Sequence, residues 1–226
     1  MHRFEADYFE QHASYAERGG YAAMLADVRR FYGQYFRIGS RAAPQIAHGE
    51  GKRALEVGCA LGAGVELLRT WRYEVFGTDI STYAIGEARR RYGDDMHFAV
   101  SDAQLNNPFG LQFRLVVAIH VLEHLLDIGA AMSALACGIE AGGYLLVATP
   151  NPGSLSPYRR FQRDPTHISE QRPHVWKALA EGVGLRVIAC KTFHIVPVLH
   201  RWLGVRYLSV PGWLGYDTVI VAQKNL

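Results

Sequence analysis

The chain has 226 residues, 49% of them hydrophobic and 20% charged, with a formal net charge of +3. That length suits one α/β domain with modest additions, and so mild a charge does not by itself argue for nucleic acid, whose footprint needs clustered charge on one face. Three scattered cysteines (Cys59, Cys137, Cys190), odd in number and without a C-x-x-C pair, point to a reducing compartment, so the cytoplasm is expected.

The mixed-charge start, Met1 to Asp7, reads as no signal peptide. The longest apolar runs, Leu115 to Ile119 and Tyr144 to Ala148, fall far short of the roughly 20 residues of a membrane helix. Residues 1–47 are predicted to be a helical cap. Met24, Leu25, Val28, Phe31, Tyr32 and Tyr35 recur at spacings of three and four and form one stripe, which Pro44 and the Gly49-Glu50-Gly51 turn end.

From Arg53 short β-rich runs alternate with helical ones. Strands are predicted at Ala54–Val57, Glu74–Thr78, His97–Ser101, Leu115–Ile119 and Tyr144–Ala148. Helices are predicted at Gly64–Arg72, Ser81–Tyr92 and Asp127–Glu140. Strands separated by helices of this length mean βαβ units and a parallel sheet. Residues 150–173, with five prolines, read as an active-site loop region. A helix at His174–Glu181 and strands at Leu185–Thr192 and Asp217–Gln223 complete the domain at 48–226.

The first strand runs into Glu56-Val57-Gly58-Cys59-Ala60-Leu61-Gly62 and then a helix. Glycines let a backbone turn tightly and approach a ligand, and the helix start offers unpaired N–H groups. A plain turn without a ligand is the alternative. Asp79 closes the second strand about 20 residues after Gly58, where a Rossmann-type sheet holds ribose hydroxyls. Asp102 follows the third strand. Loops after successive parallel strands open on one sheet edge, so Glu56, Asp79 and Asp102 are expected to converge; as alternatives, Asp79 and Asp102 are helix caps or turn formers.

These motifs, in this order, resemble those of class I S-adenosylmethionine-dependent methyltransferases. Leu55 to Gly62 is similar to the first motif, with Ala60 in place of its middle glycine. Val75-Phe-Gly-Thr-Asp79-Ile80-Ser81 resembles the second, and Ser101-Asp102-Ala103 the third. Phe113 to His124 and Gly142 to Asn151 resemble the fourth and fifth strands with their sequels. The resemblance is close over residues 50–152. It implies a three-layer Rossmann-like sandwich whose seven-stranded, mostly parallel sheet ends in an antiparallel strand. It also implies S-adenosylmethionine as cofactor, with Asp79 on the ribose, Ile80 against the adenine, and Asp102 and Ala103 near the adenine amino group. Glu56, Gly58, Cys59, Ala60, Gly62 and His120 line the rest. Arg114 stands where the family commonly has an aspartate, which excludes catalysis by an acid at that point.

His120-Val-Leu-Glu123-His124 also fits the inverted zinc-peptidase spacing. His120 directly follows an apolar strand, so the two rings are expected on a strand end and a helix start; no metal ligand is assigned, and Glu123 and His124 are left to brace the turn. The stretch Tyr158 to Arg163, with Arg172, suits a solvated loop, an anionic group on a substrate, or nucleic acid.

The resemblance extends to Asp164-Pro-Thr-His167, a pattern similar to one in small-molecule and glycan-directed members, which makes His167 the first candidate for a base or acceptor-orienting group and His120 the second. Tyr8, Tyr15 and Tyr21 could form a lid with Arg37 reaching the cofactor carboxylate, or be plain core. The apolar stretch His194–Gly215 suits an acceptor wall or a dimer contact. The expected reaction is methyl transfer to an O or N atom of a small molecule (lipid, quinone or sugar-like) by a monomer or homodimer. The alternatives are an NAD-dependent oxidoreductase on the same kind of sheet, disfavoured by the lack of a G-x-G-x-x-G motif, and a non-catalytic adenosyl-ligand binder.

Overall fold

The computed structural model describes residues 4–11, 13–155, 164–200, 204–212 and 215–226. Three N-terminal helices, α1 (Ala6–Gln11), α2 (Ala13–Ala16) and α3 (Tyr21–Ala42), lead into β1 (Arg53–Val57), α4 (Ala63–Thr70), β2 (Glu74–Asp79), α5 (Thr82–Tyr92), β3 (His97–Val100) and β4 (Phe113–Ile119). Then come α6 (Ile128–Gly138), β5 (Ile139–Pro150), α7 (Pro173–Gly182), β6 (Leu185–His200), β7 (Gly204–Pro211) and β8 (Asp217–Lys224). The strands form one sheet in the order β3-β2-β1-β4-β5-β8-β6-β7. The first five pair in parallel, while β8 runs antiparallel between β5 and β6.

The central strands are apolar on both faces because both faces are covered. Along β4, Leu115, Val117 and Ile119 join a core built with Tyr35 and Phe36 of α3, Leu68 of α4 and Ile85 of α5. The alternate residues Val116 and Ala118 face Met132 and Leu135 of α6 and Trp176 of α7. Local signals set the helix starts: the Ser81 hydroxyl accepts the Ala84 N–H at 3.0 Å, and Asp127 accepts that of Ala130 at 2.8 Å. Pro173 opens α7, where its missing N–H costs nothing.

The sheet has eight strands among the described residues instead of the expected seven. The added one, β7, pairs with an extended β6 from Phe193↔Pro211 to His200↔Gly204. Much of the His194–Gly215 stretch is thus an edge hairpin. Its Ile195, Val196, Val198, Val205, Tyr207 and Val210 favour extended backbone, and its prolines, Pro197 and Pro211, are tolerated near an edge. Among the described residues, no helix is long and apolar enough to cross a membrane.

Candidate active site

The loop after β1 takes the conformation its small residues permit. Gly58 (φ 70°), Ala60 (φ 45°) and Gly62 (φ 92°) all adopt left-handed backbone. A Cβ at Gly58 would collide with Val121, one at Gly62 with the Tyr92 ring, and one at Gly64 with the Glu56 carboxylate. Ala60 carries a strain that a glycine would not, of about 1–2 kcal/mol. Part of the gain from removing it is returned as unfolded-chain entropy. Ala60→Gly is therefore expected to raise the melting temperature by about 1–3 °C, with a fall contradicting the strain.

Glu56 is buried, and its Oε2 has no hydrogen-bond partner. Burial pushes its carboxyl well above the usual range, against a backbone hydrogen bond from Val65 and with Asp79 adding to the rise. Asp79 is buried too, which raises its pKa. Its two oxygens accept the Ala60 N–H and the Ser81 N–H, each at 2.9 Å. A carboxylate oxygen has two lone pairs, so acceptor capacity remains for ligand hydroxyls. Asp102 holds the backbone and side-chain amides of Gln104 at 2.9 and 3.1 Å. It lines a small crevice with Thr78, Ser101, Ala103 and Leu105. Ile80 stands 51% exposed beside this edge, a large apolar side chain without cover. Cys59 contributes backbone alone: its N–H reaches the Thr78 carbonyl at 2.9 Å, while its thiol is turned into the core, where burial raises its pKa. An orphaned buried carboxyl oxygen, a tight left-handed loop and an aspartate with acceptor capacity left over fit a cationic, hydroxyl-bearing ligand.

The N-terminal helices lie over this loop. Phe9, Tyr21 and Leu25 cluster with Leu61, Ala63 and Ala84, flanked by Tyr8 and Tyr15. Glu5 reaches the start of α5, accepting the N–H groups of Thr82 (3.2 Å) and Tyr83 (3.0 Å); the bond from Tyr83 leads the causes that lower its pKa despite desolvation. The three tyrosines expected in a lid are thus brought to the cradle. Arg37 is exposed on α3, and no described hydrogen bond of its side chain ties it there.

At the end of β4, His120 also adopts left-handed backbone (φ 54°), a strain typical of functional positions. The Tyr35 hydroxyl donates to Asp217 at 2.6 Å. Its oxygen then accepts from His120 Nε2, 2.8 Å away, and Nδ1 faces Glu123 Oε1 at 3.2 Å. With both ring nitrogens donating, His120 is an imidazolium. Burial opposes that charge, but the hydrogen bond to Glu123 and the charges of Asp217 and Glu123 outweigh it and raise the pKa.

His124 turns the other way. Its Nδ1 meets the Thr166 hydroxyl at 2.9 Å, and its ring packs edge-on against His167 at 4.7 Å between centroids. The Glu123 carbonyl accepts the N–H groups of Ile168 and Ser169, each at 2.9 Å, which ties the Asp164–Ser169 loop to this turn. His167 therefore sits beside Glu123 and one residue removed from His120. Tyr158 to Arg163 lie outside the described residues, and Arg172 is exposed. Arg114 is at the opposite end of β4, near Glu140 (3.8 Å) and over the Tyr144 ring.

Sequence reasoning missed Tyr35 and Asp217. Tyr35 was hidden in the apolar stripe of α3. Asp217, fully buried at the start of an apolar strand, was the available signal, because an unpaired charge is not buried there.

Comparison with known proteins agrees with this geometry. The family model described as "Methyltransferase domain" matches residues 25–189. A protein of Mycolicibacterium smegmatis named as a probable S-adenosylmethionine-dependent methyltransferase is 30% identical over 165 residues, 72% of this chain and 62% of that one. The ubiquinone biosynthesis O-methyltransferase of Brucella anthropi is 31% identical over 105 residues, 45% of this chain and 42% of that one. The chain thus spans less than two thirds of the length of these relatives. In fold, a SAM-dependent methyltransferase of Archaeoglobus fulgidus superposes with a TM-score of 0.61 at 21% identity, covering 88% of this chain and 99% of that one. The cradle, the sheet order and the family match lead to one assignment: the chain belongs to the class I S-adenosylmethionine-dependent methyltransferases.

Proposed function

We propose that the protein transfers a methyl group to an oxygen or nitrogen atom of a small molecule, with oxygen on a lipid-, quinone- or sugar-like acceptor the first choice. The observation that carries this reading is a pair of polar stations on either side of the Glu123 carboxylate: the His120 imidazolium and His167 on its anchored loop. The Brucella relative, named for O-methylation in ubiquinone biosynthesis, supports oxygen as the acceptor atom.

S-adenosylmethionine supplies a methyl group on a sulfonium, ready for in-line displacement. Glu56, Gly58, Ala60, Gly62, Asp79, Ile80, Asp102 and Ala103 would hold it, with Cys59 contributing backbone. Most of the remaining work is alignment of the acceptor. The Tyr8, Tyr15 and Tyr21 lid excludes water from the crevice, His120 fixes charge at the end of β4, and His167 orients the acceptor's polar group. The three unpaired cysteines suit the cytoplasm. The acceptor is a metabolite in this reading, with nucleic acid set aside.

Incubation with labelled methyl donor and fractionated metabolites tests it. Turnover on one acceptor class is expected to fall about 100-fold in His167→Ala, with adenosylhomocysteine affinity retained. Equal turnover in that variant would remove His167 from the site.

A further inference from the structure

Glu123, His124 and His167 bring one carboxylate oxygen and two imidazole nitrogens within 4.8 Å of one another. We propose that these three side chains bind a single divalent transition-metal ion of the zinc type, with a coordination position left for an oxygen ligand.

Proton bookkeeping supports this first. The Thr166 hydroxyl donates to Asp164 Oδ1 at 2.6 Å, so its oxygen can only accept from His124 Nδ1 at 2.9 Å. The Thr166 carbonyl, 3.3 Å from the same nitrogen, is likewise an acceptor. His124 Nδ1 therefore carries the proton. His167 Nδ1 faces Glu170 Oε1 at 3.0 Å and carries one too. With a proton on each Nδ1, Nε2 is the nitrogen that either ring can offer to a metal ion. Metal-binding histidines are commonly set in this way, with the far N–H given to a carboxylate or carbonyl.

Geometry supports it next. His167 Nε2 stands 4.0 Å from Glu123 Oε1, too far for a hydrogen bond. Tetrahedral ligands about 2.1 Å from an ion lie roughly 3.4 Å apart, so modest side-chain movement closes the set. Glu123 is fully buried and braced through Oε2 by the Thr149 hydroxyl at 3.2 Å. The loop bearing His167 is tied to the Glu123 carbonyl. Phe4 packs edge-on against His124, 5.4 Å between ring centroids.

Two imidazoles and one carboxylate favour zinc, iron, cobalt or nickel over magnesium or calcium. Three protein ligands also leave the open position of a catalytic site rather than the closed sphere of a structural one. The ligand set differs from the peptidase pattern in the sequence, because His120 is committed to Tyr35 and Glu123 and the third ligand comes from the loop after β5. With Nδ1 on Glu170 and Nε2 on the ion, His167 orients the acceptor through the ion's open position, so the site depends on the proposed methyl transfer for its use but not for its existence.

The test uses the full chain without an affinity tag, stripped with chelator and desalted. Calorimetric titration with zinc chloride is expected to show one ion per chain at this site. Cobalt(II) should develop visible absorption without a thiolate charge-transfer band, and magnesium should give no such response. His124→Ala and His167→Ala should each weaken zinc binding at least about tenfold, with circular dichroism and adenosylhomocysteine binding retained to show that the fold survives. No stoichiometric zinc, or affinity unchanged in both variants (as a cysteine site would give), overturns the proposal. If adenosylhomocysteine fails to bind while zinc binds normally, the methyltransferase reading falls and the metal site stands.

Discussion

Glu56→Gln is expected to make the ligand-free protein more stable and the adenosyl complex weaker. Glu56 is 1% exposed, with Oε2 unpaired. A buried polar atom without a partner costs about 1–3 kcal/mol, and an ionised one more. A neutral amide removes the charge, so the melting temperature should rise by about 2–8 °C at neutral pH. The sign with pH follows from the raised pKa. The unfolded glutamate releases its proton at lower pH than the folded one does, so the unfolded state binds fewer protons between the two values. Wild-type stability therefore falls as pH climbs from about 4.5 toward the folded pKa, and Glu56→Gln should flatten that slope. In the same variant, adenosylhomocysteine affinity should drop at least about tenfold, because the buried carboxylate is the available partner for the ligand's ammonium. Thermal melts across pH, with calorimetry, check both halves. A variant that is less stable and binds unchanged would show that Glu56 is simply a core residue.

Asp217→Ala should be among the most damaging single changes in the site. Asp217 is fully buried, receives the Tyr35 hydroxyl at 2.6 Å and lies 4.0 Å from His120 Nε2. Removing it leaves the His120 imidazolium with Glu123 alone. Breaking a buried ion pair costs about 3–5 kcal/mol, or roughly 6–20 °C in melting temperature for a chain of this size. Tyr35→Phe, which removes one hydrogen-bonding group and no charge, should cost about 1–3 kcal/mol. His120's raised pKa sets the pH dependence: its contribution is fully present below the unfolded histidine value near 6.5 and is lost as pH rises through the folded value. The gap between wild type and Asp217→Ala should accordingly narrow in alkali. Urea denaturation at several pH values measures it, and a Tyr35→Phe loss exceeding that of Asp217→Ala would contradict the order of the relay.

The parallel core was legible in the sequence because strands covered on both faces are short continuous apolar runs, such as Leu115 to Ile119, separated by capped helices. The placing of Asp79 at the end of β2 and of Asp102 just after β3 followed from the same alternation. Strand ends were less legible: β6 was expected to stop at Thr192 and instead continues to His200 into a hairpin, because its apolar residues suit a wall as well as a strand. The relay from Glu123 through His120 and Tyr35 to Asp217 joins residues up to 182 positions apart, and no local spacing encodes that. The direction of the Cys59 thiol was likewise hidden, since a tight left-handed loop aims each side chain individually.

Isothermal calorimetry of the intact chain with adenosylhomocysteine tests the cradle between β1 and α4 most directly. One molecule is expected to bind per chain, with affinity lost in Asp79→Ala and no comparable heat from NAD. Absence of adenosylhomocysteine binding by a folded chain, or preferential binding of NAD, would contradict the account.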